Sequence, residues 1–363
     1  MERRTLLKAL PATGLLVAAS QVARAQSATP AQPAGWRTFE TVARLEIVKP
    51  TGQVRAWMPL PLSQDTDYFR TLSNSWTGNA EAVEFAIDPN YRAAMAAATF
   101  KQGEAAPMLE VTSRFVVRER HVDLKPGSGM QATAEQLALY LKPTALIPID
   151  GLVKTTADEI TRGERSDLDK ARAIYEWTVE NTFRDPKTRG CGVGDIRTLL
   201  ETKTYGGKCA DLNALFVGLC RASGVPARDV YGVRVVESPR GYKSMGKMGD
   251  ITKAQHCRAE FYAQGIGWVP ADPADVRKVI LEERPGLTLN DDVVKVMRTF
   301  LFGNWEGNWL AYNYAHDVRL PGSTRAPVNF LMYPQAETAD GRLDSLDPDN
   351  FKYKIISREV TSA

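Results

Sequence analysis

The chain has 363 residues, with 46 Lys and Arg against 43 Asp and Glu and 44% hydrophobic residues. That is long enough for a large core or two domains, and the composition is that of an ordinary globular protein without low-complexity tracts or internal repeats. Four basic residues against one acidic residue in the first 25 positions account for the whole formal charge of +3. The rest is close to neutral, and nothing in it points to a nucleic-acid binder, which would show a clustered basic excess.

The first segment, MERRTLLKALPATGLLVAASQVARAQ, has a charged start, an apolar run from Ala9 to Ala19 and the small-residue site Ala23-Arg24-Ala25. This predicts a signal peptide over 1–25 with cleavage near Ala25–Gln26. Arg3-Arg4 followed by Thr5-Leu6-Leu7-Lys8 resembles a twin-arginine export signal, the alternative being an ordinary secretory leader. Either address places the mature chain in the periplasm or otherwise outside the cytoplasm. Export of a folded chain would let a reduced thiol be buried before it meets an oxidising compartment. The run is too short for a stable anchor and no other segment is long and apolar enough, so no stable membrane insertion is expected.

A linker over 26–35 leads into strand-like sequence. TFETVARLEIV, QVRAWMPLP, AVEFAID, AAMAAATFK and LEVTSRFVVRERHVDL alternate or run apolar, with turns at KPTG and DPN. They predict an antiparallel β domain over 36–125. From Ala132 the period becomes helical, in TAEQLALYLKP and in DLDKARAIYEWTVENTF, where Ala171, Ile174, Tyr175 and Val179 mark one face. Ser166 or Asp167 caps the second helix and Asp185-Pro186 ends it. CADLNALFVGLCRASGVPAR is the strongest helix. Leu212, Leu215, Phe216, Leu219 and Cys220 follow one stripe, and Gly224 and Pro226 stop it.

DVYGVRVVE and HCRAEFYAQGIGWVPADP then read as strands, the second a hairpin turning at Gln264-Gly265. Core sequence is expected over 126–335. The tail over 336–363 reads as strands packed on that core, joined by Asp340-Gly341 and a Pro/Asp-rich loop. Helices followed by an antiparallel sheet, after an all-β domain, make the fold class α+β.

Cys209 opens the strongest helix, where unpaired N–H groups and the helix dipole favour an anion and lower a thiol pKa. Gly206 and Gly207 let the chain approach that helix start closely. Cys220 lies on the apolar stripe and reads as a small core residue. A disulfide between them is excluded, because eleven residues of helix separate them by about 16 Å. The cysteine spacings fit no zinc pattern, and no metal or other cofactor is expected. Cys191 is either a free thiol near the site or half of a bridge with Cys257.

A nucleophilic thiolate needs a base, and the base needs an orienting partner. In a hairpin turning at Gln264-Gly265, His256 and Asp272 lie opposite or nearly so, on one face of the sheet. Cys257 then faces the other way. His121 reads as an exposed strand residue, and His316, in YNYAHDV, is placed where it could approach the site. Trp305, Trp309, Tyr312 and Tyr314 read either as core or as the wall of an acyl-binding cleft.

Gly207-Lys208-Cys209-Ala210-Asp211, LFVGLCRASGVPAR and HCRAEFYAQGIGWVPADP resemble the core motif of the transglutaminase-like superfamily. The resemblance implies a papain/transglutaminase-like core, a nucleophile-bearing helix packed on an antiparallel sheet. It also implies Cys209 as nucleophile, His256 as base and Asp272 as orienter, attacking an amide or ester carbonyl. One departure is Arg258, where the family often has tryptophan; it either binds an acidic group of the substrate or lines the wall. The family's oxyanion donors imply the Cys209 N–H with one upstream donor, for which Tyr205 and a side chain near 190–195 are candidates. The expected activity is peptidase or amidase hydrolysis, or else transamidation, of a peptide or protein such as a cell-wall peptide. An inactive binding or assembly module with the same fold is the alternative.

Overall fold

The computed structural model describes residues 35–127, 129 and 131–360. The expected export leader and all but the last residue of the linker lie outside the described residues. The strands of four residues or more are β1 (Arg37–Ile47), β2 (Arg55–Pro59), β3 (Phe69–Gly78), β4 (Ala82–Ile87), β5 (Ala94–Thr99), β6 (Met108–Val117), β7 (Ala227–Arg234), β8 (Gln255–Ala263), β9 (Gly267–Ala271), β10 (Trp309–Asn313), β11 (Gln335–Thr338) and β12 (Phe351–Glu359). The helices are α1 (Ala134–Leu139), α2 (Gly151–Ile160), α3 (Asp167–Asn181), α4 (Ile196–Thr202), α5 (Cys209–Ala222), α6 (Pro273–Glu282) and α7 (Asp292–Phe300).

The fold is α+β with antiparallel main sheets. One sheet runs from the two-residue strand Gly249–Asp250 through β12, β1 and β6 to β3. A second has the order β11-β2-β5-β4, extended beyond β11 by Gly341–Arg342. In β6 the alternating sequence MLEVTSRFVV sends Leu109, Val111, Phe115 and Val117 inward. Leu109 and Val111 meet Met58, Ala96 and Phe100 between the two sheets. β3 carries no apolar alternation because most of its side chains are exposed or half-buried, and sequence periodicity passes over it.

The tail departs from expectation. β12 pairs with β1 over nine residues, from Phe39↔Glu359 to Ile47↔Phe351, and β11 pairs with β2. The chain's last strands therefore complete the sheets of its first strands rather than forming a layer on the core. Contact with the core is kept farther along the same buried face of β12, where Ser357 Oγ donates to Val235 O at 2.7 Å. Phe39, Phe69 and Phe115 pack in one cluster with Val230, Trp305 and Trp309, so the β sheets and the core share buried surface.

The core sheet has the order β9-β8-β7-β10. α5 packs on it through Phe216, whose ring meets Phe261 edge-on at 6.2 Å between centroids. Burying one such ring is worth roughly 2–3 kcal/mol. All fourteen residues of α5 are buried, not the single stripe that its sequence suggests. Its polar members have partners: Arg221 Nε donates to Ala227 O at 2.7 Å, and Asn213 Nδ2 to Cys257 O at 2.9 Å. α3 starts at its Ser166 cap but ends at Asn181, short of Asp185-Pro186. The freed chain at Phe183–Arg184 pairs in parallel with Gly206–Gly207 and so carries the approach to α5. α2, α4, α6 and α7 are further helices that the sequence reading passes over.

Among the described residues no helix is long and apolar enough to cross a membrane.

Candidate active site

Cys209 is the first residue of α5 and is only 3% exposed. Its position is built by Asp211, two residues on. Asp211 Oδ2 accepts the Lys208 N–H at 2.9 Å, and Oδ1 accepts the N–H groups of Val193 and Gly194, each at 2.9 Å. Ala210 N–H donates to Cys191 O at 2.9 Å, which draws the GCGVG loop against the helix start. Gly192 sits at φ +92°, and a Cβ there would lie 1.8 Å from Asp211 Oδ2. Gly192→Ala should therefore displace Asp211 and destabilise the chain by about 1–3 kcal/mol. Denaturant unfolding, with the alkylation rate of Cys209 alongside, measures both effects.

His256 and Asp272 meet, with His256 Nε2–H donating to Asp272 Oδ2 at 2.7 Å. The register that brings them together differs from the expected one. Ala259 pairs with Ala271 and Ala263 with Gly267, so the turn centres on Gly265 and Asp272 falls diagonal to His256. A shift of this parity leaves both on the same face. Asp272 has moreover left the strand and is the N-cap of α6, accepting the Asp275 N–H at 3.1 Å through Oδ1. Asn213, one turn along α5 from Cys209, donates to the same Oδ1 at 3.1 Å. With Nε2 engaged by Asp272, Nδ1 is the nitrogen of His256 left for Cys209.

The thiol has three neighbours. The adjoining thiols of Cys191, then Cys257, outweigh burial and, with His256 adding to them, hold the Cys209 thiol well below its ordinary pKa. Cys191 is pushed well above the thiol range by its bond to Cys209 and by burial, and Cys257 is pushed up by burial and by Cys209. Cys191 Sγ donates to Gln255 O at 3.3 Å and Cys257 Sγ to Met332 Sδ at 3.9 Å, so both neighbours stay protonated beside the one lowered thiol. All four cysteines are free thiols, so the alternative of a Cys191–Cys257 bridge is not realised. Burial and Arg234 push His256 down, but Asp275 and Asp272 outweigh them and raise it to about 9.

Two residues missed from the sequence complete this charge pattern. Asp275 Oδ2 lies 3.3 Å from His256 Nε2, and Arg234 grips both Asp275 oxygens at 2.5 Å. The spacing Asp272-Pro-Ala-Asp275, one helical turn, was the available signal. His256, Asp272 and Asp275 offer ligand atoms within 4.8 Å of one another. Arg234 and the imidazolium already supply cations to those carboxylates, so the cluster is compensated without a metal ion.

The other candidates lie elsewhere. Tyr205 packs edge-on against Trp177 at 5.7 Å between centroids and does not line the cleft beside Cys209, so its side chain is a packing group. Arg258 does face the same side as His256 but is buried among protein partners. It donates to Glu306 O at 3.0 Å and Asn308 Oδ1 at 3.1 Å, and lies 4.7 Å from the Trp309 ring centroid. It reaches no open surface where an acidic substrate group could meet it. Trp305, Trp309 and Tyr312 are buried core residues. His316 lies 3.2 Å from Asp229, outside this cluster, and His121 is exposed beside Asn304.

A cleft of about 720 Å³ opens beside Cys209, His256 and Cys191, with Tyr333, Tyr353 and Gln255 on its walls. Cys209 is the first helical residue, so its N–H has no intrahelical acceptor. A carbonyl oxygen placed against the sulfur would meet that donor.

The sequence pattern of the transglutaminase-like superfamily matches residues 154–273, which hold α5 and the hairpin. An uncharacterised protein of Haemophilus influenzae is 34% identical over 98% of this chain and 100% of its own length. In overall fold the chain is similar to the solved structure of a proposed cysteine protease from Cytophaga hutchinsonii. The TM-score is 0.55 at 13% identity, over 92% of this chain and 93% of that one. The chain belongs to the transglutaminase-like superfamily.

Proposed function

We propose that this chain is an exported cysteine-dependent enzyme that transfers acyl groups from amide bonds, with water as the usual acceptor. The observation that carries the reading is the buried thiol at a helix start, facing an imidazole whose far nitrogen is held by Asp272 at 2.7 Å. At neutral pH the lowered thiol and the raised imidazole give a thiolate–imidazolium pair.

Cys209 Sγ attacks the amide carbonyl carbon, and the tetrahedral oxyanion is met by the Cys209 N–H. His256 gives its proton to the departing nitrogen, the C–N bond breaks, and an amine leaves behind a thioester. Water, deprotonated by the now neutral His256, attacks the thioester. The C–S bond breaks, an acid leaves, and the thiolate–imidazolium pair is restored. A primary amine in place of water would give transamidation. The leader favours substrates outside the cytoplasm, peptides of the cell wall among them.

Two measurements on the mature protein test this. Iodoacetamide near neutral pH should label Cys209 ahead of the other three cysteines. Incubation with a mixture of peptides and muropeptides should release new amino groups, with a loss of at least about 1000-fold in Cys209→Ala. Undiminished release by Cys209→Ala would overturn the reading.

A further inference from the structure

Nine Lys and Arg side chains, besides His256, line the cleft beside Cys209, and one lining side chain, Glu282, is acidic. The chain without its first 25 residues carries 42 basic and 42 acidic residues (46 less four, 43 less one), so the lining departs sharply from the whole. Four of the nine have carboxylate partners: Arg234 has Asp275, Arg189 has Asp344, and Arg184 and Lys278 share Glu282. The remaining five are Lys208, Lys243, Lys247, Lys253 and Lys352. Glu283 and Asp250 act on Lys243 and Lys247 through space. None of the five belongs to an ion pair among the described residues.

These lysines come from separate parts of the chain. Lys208 precedes α5, Lys243 and Lys247 flank the turn after β7, Lys253 precedes β8 and Lys352 lies on β12. Lys243, Lys247, Lys253 and Lys352 are exposed and Lys208 is half-buried. Uncompensated like charges around a concave wall repel one another and concentrate counter-ions there, a cost that an anionic occupant relieves.

We propose that the occupant is an acidic peptide, bound with its carboxylates against Lys208, Lys253 and Lys352 beside the amide that Cys209 attacks. The substrate class rests on the reading of Cys209 as the acyl-transfer nucleophile. Lysine ammoniums on flexible stems suit carboxylates spread along an extended peptide. The guanidiniums that would fork onto phosphates are each taken by a protein carboxylate. That favours a peptide over a nucleic acid.

The test follows iodoacetamide labelling of Cys209 by mass spectrometry, at low ionic strength, with N-acetyl-hexaglutamate amide or its hexaglutamine counterpart as competitor. Each rate is normalised to the same protein without competitor. The hexaglutamate should protect Cys209 at a concentration at least tenfold lower than the glutamine peptide. The advantage should shrink in 0.5 M NaCl and in the K208Q/K253Q/K352Q variant, whose fold is checked by circular dichroism. Equal protection by the two peptides, or an undiminished advantage in the variant, overturns the proposal. So does better protection by a six-nucleotide single-stranded DNA, which would assign the cleft to phosphates. The rate without competitor separately reads the nucleophile: a Cys209 no faster than glutathione would sink the functional reading, whichever peptide protects.

Discussion

Alkylation of Cys209 by iodoacetamide should stay fast at pH 6, where an ordinary thiol is nearly silent. A free thiol of pKa about 8.5 is roughly 0.3% thiolate at pH 6, so a sulfur ionised there gains about 300-fold in reactive form. Part of the gain is returned, because a less basic thiolate attacks more slowly, with a Brønsted slope of about 0.4–0.5. A net advantage of about tenfold over glutathione at pH 6 is the expected result. His256→Ala should remove much of it and shift the rate profile toward higher pH. Some depression of the pKa should survive in that variant, since the adjoining Cys191 and Cys257 thiols also lower it. Turnover has a different upper limit. It needs the imidazolium as acid, so kcat/KM should fall as pH rises through about 9, the value to which His256 is raised. A turnover profile that fell at pH 6–7 instead would show that the neighbouring carboxylates do not hold the proton on His256.

Arg234→Met should be the most destabilising substitution near the site. Arg234 and Asp275 are 2% and 1% exposed, and the arginine is the counter-charge for a carboxylate beside a second one, Asp272. Removing one partner of a buried pair typically costs about 3–5 kcal/mol. Removing both charges together, Arg234→Met with Asp275→Leu, should recover much of that loss in urea unfolding. His256 adds a pH dependence of known sign. Its pKa is raised in the folded state, so its contribution is fully present below about 6.5 and is lost as pH rises from there to about 9. A double variant as unstable as the single one would show that the arginine acts through packing, including its bond to Met245 O at 3.1 Å.

Local sequence patterns carried the parts of this protein that depend on near neighbours. The helix beginning at Cys209, its cap region, the β8–β9 hairpin and the same-face relation of His256 and Asp272 are readable because helices and hairpins are closed by residues a few positions apart. The hairpin register was off, yet the face was right, since strand side chains alternate with period two. Export of the chain remains an expectation from the leader alone.

Tertiary structure decided what joins distant segments. Pairing of β12 with β1 brings Glu40 opposite Arg358, and neither strand's sequence names its partner, because pairing is chosen by the core that both strands cover. For the same reason Cys191 could be left only as an alternative: its place beside Cys209 depends on Asp211 gathering the Val193 and Gly194 N–H groups. Arg258 and Tyr205 looked available for substrate until the fold supplied Glu306, Asn308 and Trp177 as their neighbours. Five lysines scattered from Lys208 to Lys352 disappear in a neutral overall balance and become a charged wall only when the chain closes around one cleft. Charge acts through space, and spacing along the chain carries almost none of that information once a core has folded between the residues.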